Sequence, residues 1–235
     1  MFKYLFAKNE DIPPGTAAVY FGLSSIVWFV IGTGLGSFNA AKLAFPDFVT
    51  GSYLFSFGHM RQVHVMAVIF GWISMAFAMA MMYITPALGN TRLYSEKLGV
   101  WNCFLWNFGL SLALTLLWAG MSSGREYSDF PWFIDLYILA FVGIPLGINV
   151  WMTIIKRRTQ GIYTTNWFFA AGVFMVWIVL FVGNLPEYFQ LTGLTEAYLT
   201  LSDPDRRATY TAAVLPTTSA AKEQHLAGGE AFVCI

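Results

Sequence analysis

Along the chain, five long apolar stretches alternate with short polar connections. The stretches run over residues 16–44, 58–83, 98–121, 132–155 and 165–190. A bilayer core about 30 Å thick needs about 20 apolar helical residues, because lipid offers no hydrogen-bond partners and a helix satisfies its backbone internally. All five stretches reach that length, so the pattern predicts an all-α membrane protein with five transmembrane helices. It also divides the chain into an N-terminal segment, 1–15, a five-helix domain, 16–190, and a polar tail, 191–235. Threonine, alanine and serine gather in that tail from about Asp203 onward.

Composition agrees with the pattern. With 57% hydrophobic and only 11% charged residues, the chain is too apolar for a soluble surface. Thirteen basic residues balance thirteen acidic ones, so no excess of charge points to nucleic acid or to an acidic partner. The placement of the charges is more informative than their sum. If the N-terminus is cytoplasmic, that side holds Lys3, Lys8, Arg92, Lys97, Lys156, Arg157 and Arg158, whereas Lys42, Arg61 and Arg125 lie on or near the other. This bias favours a cytoplasmic N-terminus. Tyr53, Tyr83, Trp132 and Trp167 stand near span ends, where amphipathic rings sit at headgroup level. The first fourteen residues carry both charge signs and two prolines, unlike a cleaved signal. Cys103 lies inside an apolar run and Cys234 beside the C-terminus, a separation that indicates neither a disulfide framework nor a CxxC metal site. Cys103 reads as a packing residue.

Candidate chemistry is concentrated in the second span. Of the three histidines, only His64 lies well inside an apolar stretch. An imidazole in hydrocarbon is costly unless it ligates a metal or finds a hydrogen-bond partner. Two readings therefore stand side by side: a bond to a neighbouring helix, or ligation of a metal or of haem iron, a standard role for neutral imidazole. Arg61, three residues earlier, shares its side of the helix about one turn nearer the surface, where it either snorkels or meets an anionic carboxylate. His59 reads as interfacial and His225, in the tail, as solvated. Gly32, Gly34 and Gly36 in the first span, with Ala67, Gly71, Ser74 and Ala78 in the second, permit close backbone approach, either for helix packing or to admit a flat cofactor. The loop GREYSDFPWFID crowds Arg125, Glu126, Asp129 and Asp135 on the same side of the membrane as His64. A solvated acidic loop and a site for a hard cation are both compatible with it.

Three segments carry a family resemblance in order along the chain. GHMRQVHVMAVIFGW, residues 58–72, resembles the second helix of the haem-copper oxidase catalytic subunit, particularly its cbb3-type branch and the related nitric oxide reductases. GREYSDFPWFID, residues 124–135, is similar to the loop between the third and fourth helices of that branch, and IYTTNWFF, residues 162–169, to the entrance of its fifth helix. The ordered set is more specific than any one motif. The resemblance implies the first five helices of a twelve-helix subunit, with His64 as an axial ligand of low-spin haem b and Arg61 near its propionates. It implies that Glu126 ligates a calcium ion beside those propionates. It further implies membership of a bacterial inner-membrane terminal oxidase that takes electrons from cytochrome c-type subunits to oxygen. The second axial ligand, the copper ligands and the high-spin haem ligand belong to later helices, so copper and the second haem are expected only where those helices are supplied. After about Leu194 the sequence departs from the family pattern, as expected of a truncated or frameshifted gene or of a subunit divided between two genes. The alternatives are a nitric oxide reductase fragment and a haem-free membrane scaffold or remnant.

Overall fold

The computed structural model describes the backbone of residues 2–49, 51–122 and 130–202, with side chains from residue 3 to residue 184. The described residues contain five long helices and no strand: α1 (Thr16–Ala44), α2 (Phe57–Leu88), α3 (Glu96–Trp118), α4 (Trp132–Ile155) and α5 (Thr164–Ser202). All are long and apolar enough to cross a membrane, α5 through its part Thr164–Asn184. The limits of α1 and α4 coincide with the apolar stretches. Helix α2 instead runs past residue 83 and contains Pro86, and α5 continues beyond residue 190 to Ser202. The chain divides into two units, Met1–Asn184 and Leu185–Ile235. In the second, the described backbone is helical through Ser202. Glu126, Asp129, His225 and Cys234 lie outside the described residues.

Helix starts follow from side chains that satisfy orphan N–H groups. Ser56 accepts from the His59 N–H ahead of α2, and Ser95 accepts from Leu98 at 3.1 Å ahead of α3. The start of α1 has no cap of its own, since its N-cap is Gly15 in a left-handed conformation. The carboxylate of Glu96 serves instead, accepting from the Gly15 and Ala17 N–H groups at 2.7 and 2.9 Å. This contact ties α1 to the first turn of α3, and placing an anion at a helix N-terminus also suits the dipole. The N-terminal segment docks nearby: Trp101 donates to the Leu5 carbonyl at 2.8 Å, and Asn9 accepts from the Ser95 hydroxyl and the Lys97 N–H, both at 3.0 Å.

Helix α3 supplies polar bonds to three neighbouring helices. Its Asn107 accepts from the Trp28 indole at 2.9 Å and donates to Ser24 at 3.0 Å, both on α1. Its Asn102 donates to carbonyls of α4 and its Trp106 to a carbonyl of α2. Cys103 is fully buried, with its sulfur 3.5 Å from the Ser24 hydroxyl, in keeping with a packing role. Without a hydrophobic force between helices in lipid, such bonds and close packing of small residues hold a bundle together. Gly32, Gly36 and Gly71 provide that packing. A Cβ at Gly32 would meet Val68 at 2.9 Å, and one at Gly71 would meet the Trp28 ring at 2.7 Å. Gly34 faces open space.

Two of the spans are not uniform α-helices. Residues Ala67–Ile73 of α2 and Ile138–Gly143 of α4 are π-helical, with the Ser74 N–H returning to the Ile69 carbonyl and the Ile144 N–H to Leu139, five residues back. Each such turn holds one residue more than an α turn, a phase shift of roughly 100°.

Candidate functional site

His64 lies seven residues, roughly 10 Å, along α2 from its first residue. It is half-buried, and its Nδ1 is 2.8 Å from the Gly32 carbonyl of α1. A carbonyl can only accept, so Nδ1 carries the proton and the lone pair falls on Nε2. The opposing wall of α1 has no side chain at Gly36. A Cβ there would lie 2.8 Å from the imidazole Cε1 and 3.4 Å from Nε2. The two glycines therefore act differently: Gly32 contributes a carbonyl that orients the ring, and Gly36 lets the ring edge, with Cε1 nearest and Nδ1 next at 3.2 Å from such a Cβ, pack against α1.

The hydrogen-bond reading and the ligation reading of His64 thus meet in one geometry. A ring nitrogen tied to a backbone carbonyl is the usual outer-shell arrangement of a metal-ligating histidine. Among the described residues, no group of three or more His, Cys, Asp or Glu side chains gathers to hold a metal ion. A lone imidazole cannot cage an ion, but it can be an axial ligand to one that arrives with its own equatorial donors, as iron does in a porphyrin. The residues present fit that kind of group.

The other sequence-derived candidates fall around this point. Arg61 is exposed on α2, one turn toward the helix start from His64. His59 lies at the first turn of α2, with Nδ1 3.1 Å from the Ser56 hydroxyl and its ring edge-on to Tyr53. Asp135 is buried in the first turn of α4. The acidic run that includes Glu126 falls outside the described residues, so its geometry adds nothing here.

No residue pattern marks the π turn that begins three residues after His64. His64 stands eleven residues before Met75, close to three α turns, so an unbroken α-helix would place it within about 20° of Met75. Met75, Ala78 and Met82 are each 1% exposed or less and form the buried stripe of α2. The extra residue in the turn swings His64 off that stripe toward Gly36 of α1. Nearby groups hold the turn: Trp106 of α3 donates to the Phe70 carbonyl at 3.0 Å, Ser25 of α1 to Trp72 at 3.1 Å, and Ser74 to Ile69 at 2.7 Å.

The fold and this site define an integral membrane protein of packed helices, with one tautomer-fixed imidazole partway along a span. The chain belongs to the family described as cytochrome c and quinol oxidase polypeptide I, whose pattern matches residues 16–208. That match extends past Leu194, after which a departure from the family pattern is expected from the sequence. Among curated relatives, the chain is 33% identical to the cbb3-type cytochrome c oxidase subunit CcoN1 of Stutzerimonas stutzeri, over 75% of this chain and 39% of that protein. It is 30% identical to a cytochrome c oxidase subunit 1 homolog of Agrobacterium tumefaciens (strain T37), over 73% and 32%. It is 28% identical to cytochrome c oxidase subunit 1 of Rhodobacter capsulatus, over 75% and 34%. The chain therefore spans about a third of the length of the relatives it matches.

Proposed function

We propose that this chain carries the low-spin haem b of a cbb3-type terminal oxidase catalytic subunit, with His64 as one axial ligand. The observation that carries the reading is the Nδ1 contact to the Gly32 carbonyl, which puts the lone pair on Nε2. When bound, the haem would supply one-electron transfer. The work of the chain is to hold and orient it. His64 presents a neutral nitrogen of fixed tautomer, and Arg61 offers a guanidinium one turn nearer the surface for a propionate. The apolar walls of α1 and α2 exclude water. Glu126 would ligate calcium beside the propionates. The remaining helices of the catalytic subunit would provide the second axial ligand, the copper ligands and the high-spin haem. Cytochrome c-type subunits would deliver electrons, and the chain alone would not reduce oxygen. It would lie in a bacterial inner membrane with its N-terminus cytoplasmic.

The names of the relatives favour an oxidase over a nitric oxide reductase. A reduced-minus-oxidised spectrum of the purified complex, combined with haem extraction, tests the reading. Protohaem with sharp low-spin bands is expected, and a fully assembled complex without haem absorbance would support the haem-free scaffold. For the calcium role, Glu126→Gln is expected to lower the calcium content of the complex and to disturb the haem bands. Unchanged calcium would remove Glu126 from the site.

A further inference from the structure

We propose that Trp106 is a positioning residue that aims the imidazole of His64 by holding the π turn of α2. The inference rests on the reading of His64 as a haem ligand and adds a residue on another helix that controls it. Three observations converge. The π segment Ala67–Ile73 begins three residues after His64, so its phase shift falls between the histidine and the buried stripe of Met75, Ala78 and Met82. The π turn contains no proline that would impose it. Its carbonyls instead receive donors from outside the helix, among them the Trp106 indole at 3.0 Å.

Trp106 is itself firmly placed. It is 8% exposed on α3, and its ring packs edge-on to Phe21 of α1 at 5.8 Å between centroids. The indole therefore offers the Phe70 carbonyl a donor whose position is set by two other helices. In lipid a freed carbonyl has no water to turn to, so a fixed donor favours the backbone form that exposes it. An α-helical turn would close the Phe70 carbonyl within α2 and rotate His64 by roughly 100° toward the buried stripe. Ser25, donating to Trp72 from α1, acts in the same sense. The consequence for haem is directional: the line from the ring to its axial metal follows the imidazole, and the imidazole follows the π turn.

The test compares wild type with Trp106→Phe, which keeps an aromatic ring and removes the donor. In the assembled, haem-bearing complex, the low-spin electron paramagnetic resonance signal reports the orientation and strain of axial imidazoles. Its largest g value is expected to shift, with part of the signal converting to high spin. In protein from cells starved of haem precursor, carbethoxylation of His64 by diethyl pyrocarbonate, followed by peptide mass, reports access to Nε2. It is expected to slow severalfold in the variant. Both readouts unchanged in a folded variant would overturn the proposal. Slower carbethoxylation in a chain that binds no haem in wild-type form would uphold Trp106 as the aiming residue while refuting the haem assignment. Ser25→Ala disturbs the packing less, so if Trp106→Phe fails to fold, the same two readouts on this variant decide. A smaller change in the same direction is expected, and no change in either readout would overturn the proposal.

Discussion

Helices α2 and α4 each contain one π-helical turn, and the two turns have different origins. In α4 the cause lies in the chain itself. Pro145 has no N–H, so the Phe141 carbonyl four residues back loses its α-helical partner. Asn102 of α3 replaces that partner, donating to Phe141 at 3.2 Å and to Val142 at 2.9 Å. In α2 the turn contains no proline and depends on its neighbours, with Trp106, Ser25 and Ser74 serving its carbonyls and Trp28 packed on Gly71. The proline-linked turn follows the buried Asp135 by three residues, as the neighbour-held one follows His64. A turn specified by tertiary contacts sets a residue's direction only as well as those contacts are kept, which is why π turns recur at functional sites.

The contrast can be broken from either side. The largest effect is expected from Gly71→Ala, because the new Cβ would meet the Trp28 ring at 2.7 to 2.8 Å within a turn that cannot yield without moving His64. Overpacking of this kind costs about 1–3 kcal/mol. Unfolding in mixed detergent micelles should show that loss together with altered haem bands, and an unchanged variant would mean that the Trp28 contact does not hold the turn. Asn102→Leu should cost about 1–2 kcal/mol by leaving the Phe141 and Val142 carbonyls without their donor, and should leave the haem bands alone. Adding Pro145→Ala restores an N–H that can close on Phe141, so the double variant should recover part of that loss. Strict additivity would disconnect Asn102 from the proline. No comparable rescue exists for α2, whose turn is not imposed by a proline.

These differences also explain how much could be read from the sequence. The five spans follow from run length and apolarity, which is why the limits of α1 and α4 were predicted to the residue. The prediction ended α2 at residue 83, before Pro86, yet the helix continues to Leu88 because a proline near a helix end disturbs only the last turns. His64 stood out because an ionisable group in an apolar run is costly. Its carbonyl partner did not, since Gly32 is nearby only after α1 and α2 pack. The glycines serve packing, with Gly32 against Val68, Gly71 against the Trp28 ring and Gly36 against the imidazole of His64. Glu96 carries no local signal in the sequence, because its role as the cap of α1 depends on the fold bringing residues 15 and 96 together. Pro145 is a local signal for the π turn of α4, and nothing equivalent stands in the π turn of α2.

The most direct test of the central claim is the optical spectrum of the purified complex carrying His64→Ala beside that of wild type. The account expects the low-spin haem b bands of the wild type to disappear while the complex still assembles with its other subunits. Low-spin bands of unchanged position and intensity in the variant would contradict it.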